Sequence, residues 1–432
     1  MYISQCIIVK NEEKNIEHCL RHLKKIVNEQ IVVDTGSTDN TISIAKELGA
    51  KVYNFKWIND FSAARNYAIE KAKGDWIIFP DCDEYFTEDS LEYITKAIKM
   101  GSNRKDVDGI ICEMFNVDRN RNIMSTVKGI SPRIFKNKKY IRYKNRIHEV
   151  LYNSMNKNGN YMMRCLDEGQ NIKIMHTGYD SEAVKEKGKN KRNIDILREE
   201  LKVNPEDSII NFYLSKSLFM DNQYDEALNF AYKSLESKSD SNDVMNPTVY
   251  GHLMGCMLSM NEPLEKVVDI FDKATFKYPD YPDFYGYMGI KYLNSGNPNM
   301  AIKNLENCIE LCKKYNLPTE SMIIGQIEKI YTDLLTAYMM VDNRPKIVEI
   351  TVALLNVDKY NYSNLTVLLK TLLTQEKPEA IILFLNKLYR YDKFKDKLYL
   401  IKASEATQSN ELINYYKGLL TPEEKNVYEQ QI

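Results

Sequence analysis

The chain has 432 residues, too many for one ordinary domain, so two domains are expected. Its 59 basic residues balance 60 acidic ones, and a net charge of −1 gives bulk electrostatics no hold on nucleic acid or an anionic membrane. No apolar run approaches the roughly 20 residues of a membrane helix, and the N-terminus lacks a signal-peptide pattern. The protein is therefore expected in the cytosol, with no nucleic-acid partner and no membrane span.

Through the first half, short apolar runs alternate with amphipathic segments, the pattern of an α/β domain. Strands are predicted over Ile3–Val9, Gln30–Val33, Lys51–Phe55, Asp75–Pro80 and Gly109–Phe115. Helices are predicted over Asn15–Val27, Asn40–Leu48, Phe61–Lys73 and Ser90–Met100. Several strands are apolar throughout (IIV, IVV, WIIF), as when helices cover both faces of a sheet. Shorter strands follow over Arg133–Phe135 and Ile172–Met175, and from Ser181 onward the chain reads as helix.

Met254-Gly255 and Met288-Gly289 stand thirty-four residues apart, the period of tetratricopeptide helical hairpins. Tyr285, Tyr292, Ala301 and Leu305 surround the second pair; Leu258, Val267, Phe271, Ala274 and Pro279 surround the first. An earlier unit carries Leu214, Tyr224, Ala227 and Ala231 and is followed by an insertion near Ser237–Met245. Beyond about Tyr331 the chain still reads as helix, but the spacing drifts. Such hairpins bury their apolar faces only by stacking on neighbours. The expected organisation is thus a catalytic domain over 1–180, a linker helix over 181–204 and an all-α helical-repeat domain over 205–432. Eight cysteines without a CxxC pair are expected as buried free thiols, Cys308 and Cys312 among them.

Four clusters fall where an α/β sheet exposes strand ends, the usual place for ligands in such folds. In IVVDTGSTD, Asp34 ends a strand, Gly36 permits a tight turn, and Thr38 or Asp39 can cap the next helix. Asp34 can accept from ribose hydroxyls or a base N–H. In WIIFPDCDE an apolar strand runs into Asp81 and Asp83, which on an extended backbone point to one side. Such hard oxygen ligands suit Mg²⁺ or Mn²⁺, with phosphate and water completing the shell.

In WINDFSAARN, Asp60 or Ser62 can cap a helix from which Arg65 could grip a diphosphate in bidentate fashion, or else lie solvated. The fourth cluster holds His148-Glu149 and His176. His176 could complete a metal shell begun by Asp83, and Glu149 could accept a proton, although structural hydrogen bonding is the commoner fate of either histidine. Lys189, Lys191 and Arg192 read first as a solvated linker helix and second as a clamp on phosphates. A Rossmann dehydrogenase is disfavoured, because no GxGxxG follows the first strand.

Taken together, VVDTGSTDNT, WINDFSAARN, FPDCDE, IHE and HTGY resemble the family 2 glycosyltransferases, in family order over roughly residues 3 to 180. The helical-repeat tail resembles the subgroup of sublancin-type peptide S-glycosyltransferases, whose leading segment this sequence lacks. The resemblance implies a GT-A fold, a nucleotide-diphosphate sugar donor such as a UDP-sugar, and inversion at the anomeric carbon. It implies that Asp34, Glu12 and the backbone near Val9 contact the nucleoside. By the same motif positions, Asp81 meets the ribose or metal-bound water, while Asp83 and His176 ligate the cation. Glu149 matches the neighbourhood of the catalytic base, with His148 as competitor. The implied acceptor is a Cys, Ser or Thr of a peptide or protein, and related enzymes imply a homodimer through the repeat domain. A saccharide acceptor and a non-catalytic helical-repeat adaptor are the rival readings.

Overall fold

A computed structural model describes residues 1–118, 121, 123–127, 132–155, 163–177, 187–236, 246–315 and 321–430. Gly178 and Tyr179 of the HTGY run, the start of the expected linker and the insertion Ser237–Met245 lie outside the described residues. The chain divides into two compact units, Met1–Val249 and Tyr250–Ile432.

The first unit is built on a seven-stranded sheet. Strands β1 (Ile3–Val9), β2 (Glu29–Asp34), β3 (Lys51–Asn54), β4 (Trp76–Ile78) and β5 (Glu84–Phe86) alternate with helices α1 (Ile16–Leu23), α2 (Thr41–Glu47) and α3 (Phe61–Lys71). After α4 (Glu88–Ser102) come β6 (Gly109–Ile111), β7 (Glu113–Val117), β8 (Ile123–Val127) and β9 (Ile134–Lys136). The remaining strands are β10 (Ile141–Lys144), β11 (Val150–Asn153), β12 (Cys165–Asp167) and β13 (Lys173–His176).

The main sheet runs β12-β6-β9-β4-β1-β2-β3, parallel from β4 through β3, with β9 antiparallel to both β4 and β6. A four-stranded sheet, β5-β13-β7-β8, and a β10-β11 ribbon complete the α/β part. The uniformly apolar strands follow from burial on both faces. Trp76 and Ile78 pack on one side with Ile94 and Ile98, whereas Ile77 and Phe79 pack on the other with Ala68 and Tyr143. Alternation along a strand sends successive side chains to opposite faces, and here each face is a core.

The segment expected as one strand, Gly109–Phe115, is instead two. β6 joins the main sheet, and after Cys112 the chain crosses to pair β7 with β13 in the second. α1 stops at Leu23, four residues before its expected end at Val27, and the Asn28 side chain then accepts from Ile3 N–H at 2.8 Å.

Three helices close the first unit: α5 (Lys187–Val203), α6 (Ser208–Met220) and α7 (Tyr224–Glu236). Helix α8 (Asn246–Ser259) spans the division between the units. The second unit continues with α9 (Leu264–Lys277), α10 (Pro282–Asn294), α11 (Pro298–Lys314), α12 (Ile327–Met340), α13 (Arg344–Val357), α14 (Tyr362–Leu372) and α15 (Pro378–Leu385). It ends with α16 (Phe394–Ala406), α17 (Asn410–Gly418) and α18 (Pro422–Glu429). Antiparallel pairs therefore run on past Tyr331, where the residue spacing had drifted. Ala301, Leu305, Cys308 and Leu334 are fully buried in their shared core, the small-and-large alternation that the repeat pattern predicts.

The cysteines are free thiols, all buried except the partly exposed Cys165 and Cys312. No described helix is long and apolar enough to cross a membrane.

Candidate active site

β1 and β2 end side by side at Val9 and Asp34, while β4 stops at Ile78, opposite Gln5, and the chain runs on from there to Asp81. Val9 lies opposite Asp34 across the parallel pair. Its carbonyl accepts from both the amide and the hydroxyl of Thr35, each at 3.0 Å. Asp34 is buried and folds its carboxylate back on its own turn, accepting from Gly36 N–H at 3.0 Å and Ser37 N–H at 3.1 Å. Gly36 makes that turn at φ 111°, where a side chain is strained. The expectation that Thr38 or Asp39 caps α2 is corrected: Asn40 is the N-cap, without a side-chain bond, and Asp39 just before it accepts from the amide and hydroxyl of Thr41 and from Glu13 N–H. Glu12 opens α1 through its carbonyl and holds Asn15 by its side chain at 2.8 Å.

At the end of β4 the chain does not stay extended. Cys82 and Asp83 lie in a turn closed by Glu84 N–H on the Asp81 carbonyl at 3.1 Å. The expectation that Asp81 and Asp83 face one point across an extended backbone is therefore corrected, because the turn sends the two carboxylates to different partners. Asp81 is held by two guanidinium groups: Arg65 Nη2 at 2.7 Å on one oxygen, Arg133 Nη2 at 3.1 Å on the other. Burial alone would raise its pKa, but the charges of Arg65 and Arg133 hold it well below the usual carboxylate range.

Arg133 also forks onto Glu84, Nε at 2.8 Å and Nη2 at 2.5 Å, and Arg65 donates through Nε to Glu149 at 2.6 Å. Arg65 is only 6% exposed and lies 5.0 Å from the Phe79 ring centre and 5.3 Å from that of Tyr143. Of the two sequence readings of Arg65, the solvated one is excluded. In this structure its bidentate fork is spent on Asp81 and Glu149.

Asp83 turns instead toward His176. Their nearest atoms, Oδ2 and Nε2, are 3.4 Å apart. Pairing explains the meeting: β13 sits between β5 and β7, placing His176 opposite Glu84 on one side and Asn116 on the other. Thr177 stitches the strand end to the turn through its amide and hydroxyl, both on the Asp83 carbonyl at 3.1 Å. Asn116 Oδ1 lies 2.8 Å from His176 Nδ1. When that amide oxygen accepts, Nδ1 carries a proton and Nε2 is the nitrogen left toward Asp83, the one that would meet a cation there in place of its own proton.

Among the described residues no three His, Cys, Asp or Glu side chains converge as a cage. One carboxylate and one imidazole nevertheless suit a divalent ion that takes its other ligands from a diphosphate and water. On that chemistry the residues present fit the implied cation.

Glu149 follows a turn, residues 145–148, with non-glycine residues at positive φ at each end, Asn145 at 70° and His148 at 53°. His148 does not reach the arginine network. Its ring stacks on Tyr213 of α6, centroids 3.7 Å apart and planes 10° from parallel. The residue remains exposed, and partial desolvation by the protein packed on its ring lowers its pKa to about 4, Glu149 opposing and Lys216 assisting. Arg192 of α5 lies over the Phe61 ring at 5.0 Å, rather than standing as a solvated linker charge.

Sequence reasoning assigned no role to Arg133, Glu84, Asn116 or Tyr213. The one available signal was Glu84 itself: a glutamate opening a short apolar strand is buried, and a buried carboxylate requires a cation.

Residues 4–163 match glycosyl transferase family 2. The SPbeta prophage-derived glycosyltransferase SunS of Bacillus subtilis (strain 168) is 30% identical over 244 residues, 55% of this chain and 54% of that one. A TPR repeat-containing protein of Synechococcus elongatus is 34% identical over 217 residues, 48% of this chain and 50% of that one. The chain thus spans about half the length of these curated relatives. The crystal structure of YrrB, a TPR protein with an unusual peptide-binding site, overlaps 51% of this chain and 97% of that one at 17% identity and a TM-score of 0.35. The span that matches glycosyl transferase family 2 is thus the one that carries the α/β sheet and the carboxylates at residues 34, 81 and 83.

Proposed function

We propose that the protein moves a hexose from a nucleotide-diphosphate sugar, a UDP-sugar, to a Cys, Ser or Thr of a peptide or protein, with inversion at the anomeric carbon. The observation that carries this is the pairing of Asp83 with His176 in the turn after β4. Val9 and Asp34, at the paired ends of β1 and β2, and Glu12 would contact the nucleoside. Asp83 and His176 would hold Mg²⁺ or Mn²⁺, whose chemistry is to neutralise charge growing on the departing diphosphate. The peptide acceptor follows from the resemblance of the repeat-bearing chain to the sublancin-type subgroup.

The reaction is a single in-line displacement. The acceptor oxygen or sulfur forms its bond to the anomeric carbon while the bond to the diphosphate oxygen breaks on the opposite face. Glu149 takes the acceptor proton. Arg65 binds one of its oxygens, Oε1, and fixes the direction of the other. Such base catalysis typically contributes ~10²–10⁴-fold. A thiol acceptor leans on it less, because part of it is already thiolate near neutral pH. His148, stacked and with its pKa near 4, is the weaker candidate for the base.

The test is mass spectrometry of the protein with Mn²⁺, a panel of nucleotide sugars and candidate peptides and glycans. Sugar on a peptide supports the proposal. Sugar only on a glycan replaces the acceptor, and no transfer or donor hydrolysis with any donor would leave a non-catalytic adaptor. Asp83→Asn is expected to abolish transfer; full activity of the wild type in chelator would remove the cation from the reaction.

A further inference from the structure

The turn before Glu149 is held in a conformation its residues resist. His148 at φ 53° lies in the left-handed region, which costs a non-glycine residue on the order of 1–2 kcal/mol. Such a backbone persists only when its surroundings over-determine it, and here three helices do so. From α3, Phe61 N–H donates to the Arg146 carbonyl at 2.8 Å and Ser62 Oγ to the Asn145 carbonyl at 2.6 Å. From α5, Glu200 accepts from Arg146 N–H at 2.9 Å. From α6, Tyr213 lies flat on the His148 ring.

The first two helices grip the backbone on the N-terminal side of the turn. Tyr213 alone among these contacts grips the residue whose φ sets the direction of the next one, Glu149. Were His148 to relax to an ordinary φ, the chain at 149 would swing, and the 2.6 Å bond from Arg65 to Glu149 would no longer form.

We propose that Tyr213 is a positioning residue for transfer: by stacking on His148 it holds the strained turn that aims the Glu149 carboxylate at the acceptor. This rests on the reading in which Glu149 takes the acceptor proton. It makes the first helical hairpin part of the catalytic unit rather than an appended module. A neutral imidazole suits the role, since it lies against a phenol ring without surrendering the hydration of a charge. Glu149 and Lys216 are the charged groups acting on it.

The experiment compares Tyr213→Ala and Tyr213→Phe in the full chain. Transfer kinetics use the donor and peptide found active, UDP binding with Mn²⁺ is read by calorimetry, and amide exchange is followed over residues 145–149. The phenylalanine variant keeps the stack and is expected to keep kcat and slow exchange. The alanine variant is expected to lose about tenfold or more in kcat, the cost of a misplaced catalytic group. It should also exchange faster at 147–149 and leave UDP affinity unchanged.

Wild-type kcat in Tyr213→Ala overturns the proposal, as does a matching loss of UDP affinity, which would mark general damage to the fold. If the wild type transfers to no acceptor, the functional reading fails separately. Exchange then decides the role of Tyr213, and equal rates at 147–149 in wild type and Tyr213→Ala overturn it.

Discussion

Asp81 and Asp83 are separated by one residue and carry the same charge, yet the structure gives them opposite dependencies. Asp81 is the shared counter-ion of the buried Arg65 and the largely buried Arg133. Asp83, of similar exposure, faces the edge of His176 and bonds Thr177 through its carbonyl. Asp81→Ala would take one carboxylate oxygen from each of two arginines that keep Glu149 and Glu84, and hydrogen bonds to charged groups are typically worth about 1.5–3 kcal/mol each. Asp83→Ala removes a partly exposed contact worth about 0–1 kcal/mol. Chemical denaturation of the two variants should show that gap, even though both substitutions are expected to stop transfer. Equal stabilities would mean that Asp81 is not what balances Arg65 and Arg133. The sign of the pH effect follows. A carboxylate held below its usual range stabilises the fold above the unfolded Asp value and loses that contribution as pH falls through the folded value. The Asp81 network should therefore stay intact at neutral and mildly acidic pH and fail only in strong acid. The sequence announced both aspartates but not their division of labour, because Arg133 approaches from 52 residues away and the intervening chain belongs to other strands.

Elements show the same split between local and distant causes. Strand β1 has the bounds its apolar run predicts, and α3 begins at the predicted residue because Asp60 caps it, accepting from Ala63 N–H at 2.8 Å. The break of Gly109–Phe115 into two strands had no local signal, since both halves are apolar and only their partners differ. In the helical region, Gly289 was noticed as a repeat landmark, and the structure supplies its reason. A Cβ there would lie 2.6 Å from Leu305 Cγ and 3.2 Å from the Leu305 backbone nitrogen, so α10 and α11 touch through the missing side chain. Gly289→Ala should destabilise the second unit by about 1–3 kcal/mol, the usual cost of overpacking. Gly325→Ala, with nothing within 4 Å, is the control in the same thermal melts.

Asp283, at the first turn of α10, is buried and accepts from Ser321 Oγ and from the amides of Met322 and Ile323, pinning the approach to α12. Burial raises its pKa to about 6 against these hydrogen bonds. The folded state then binds a proton that the unfolded state has released. Stability contributed here is full at low pH and is lost as pH rises from about 4 to about 6. The denaturation free energy of the protein should fall over that interval, and Asp283→Asn should flatten the dependence. A flat wild-type profile would refute it.

At the scale of the whole molecule, the second half announces itself by a repeat, but a repeat pattern does not say where the catalytic unit ends. A helical hairpin shows the same apolar spacing whether it stacks on another hairpin or on an α/β domain, so sequence placed the boundary where strands give way to helices, within 181–204. The compact unit extends to Val249. Helix α5 buries Ile194, Ile196 and Leu197 and packs against α6, whose Leu214 and Leu218 are fully buried, with Ala227 and Ala231 of α7 closing the layer. Each fully buried Ile or Leu contributes roughly 1.5–3 kcal/mol relative to exposure, so cutting after residue 204 removes more than a marginal domain can spare. It also removes Tyr213 from His148. We therefore expect a 1–249 fragment to unfold cooperatively and to bind UDP in the presence of Mn²⁺. A 1–204 fragment should aggregate, or melt well below it, because the apolar face of α5 is laid open. Calorimetric melting and UDP titration of the two fragments make the comparison directly. A 1–204 fragment as stable as 1–249, with the same nucleotide affinity, would return the boundary to the linker and make α6 and α7 the first true repeat.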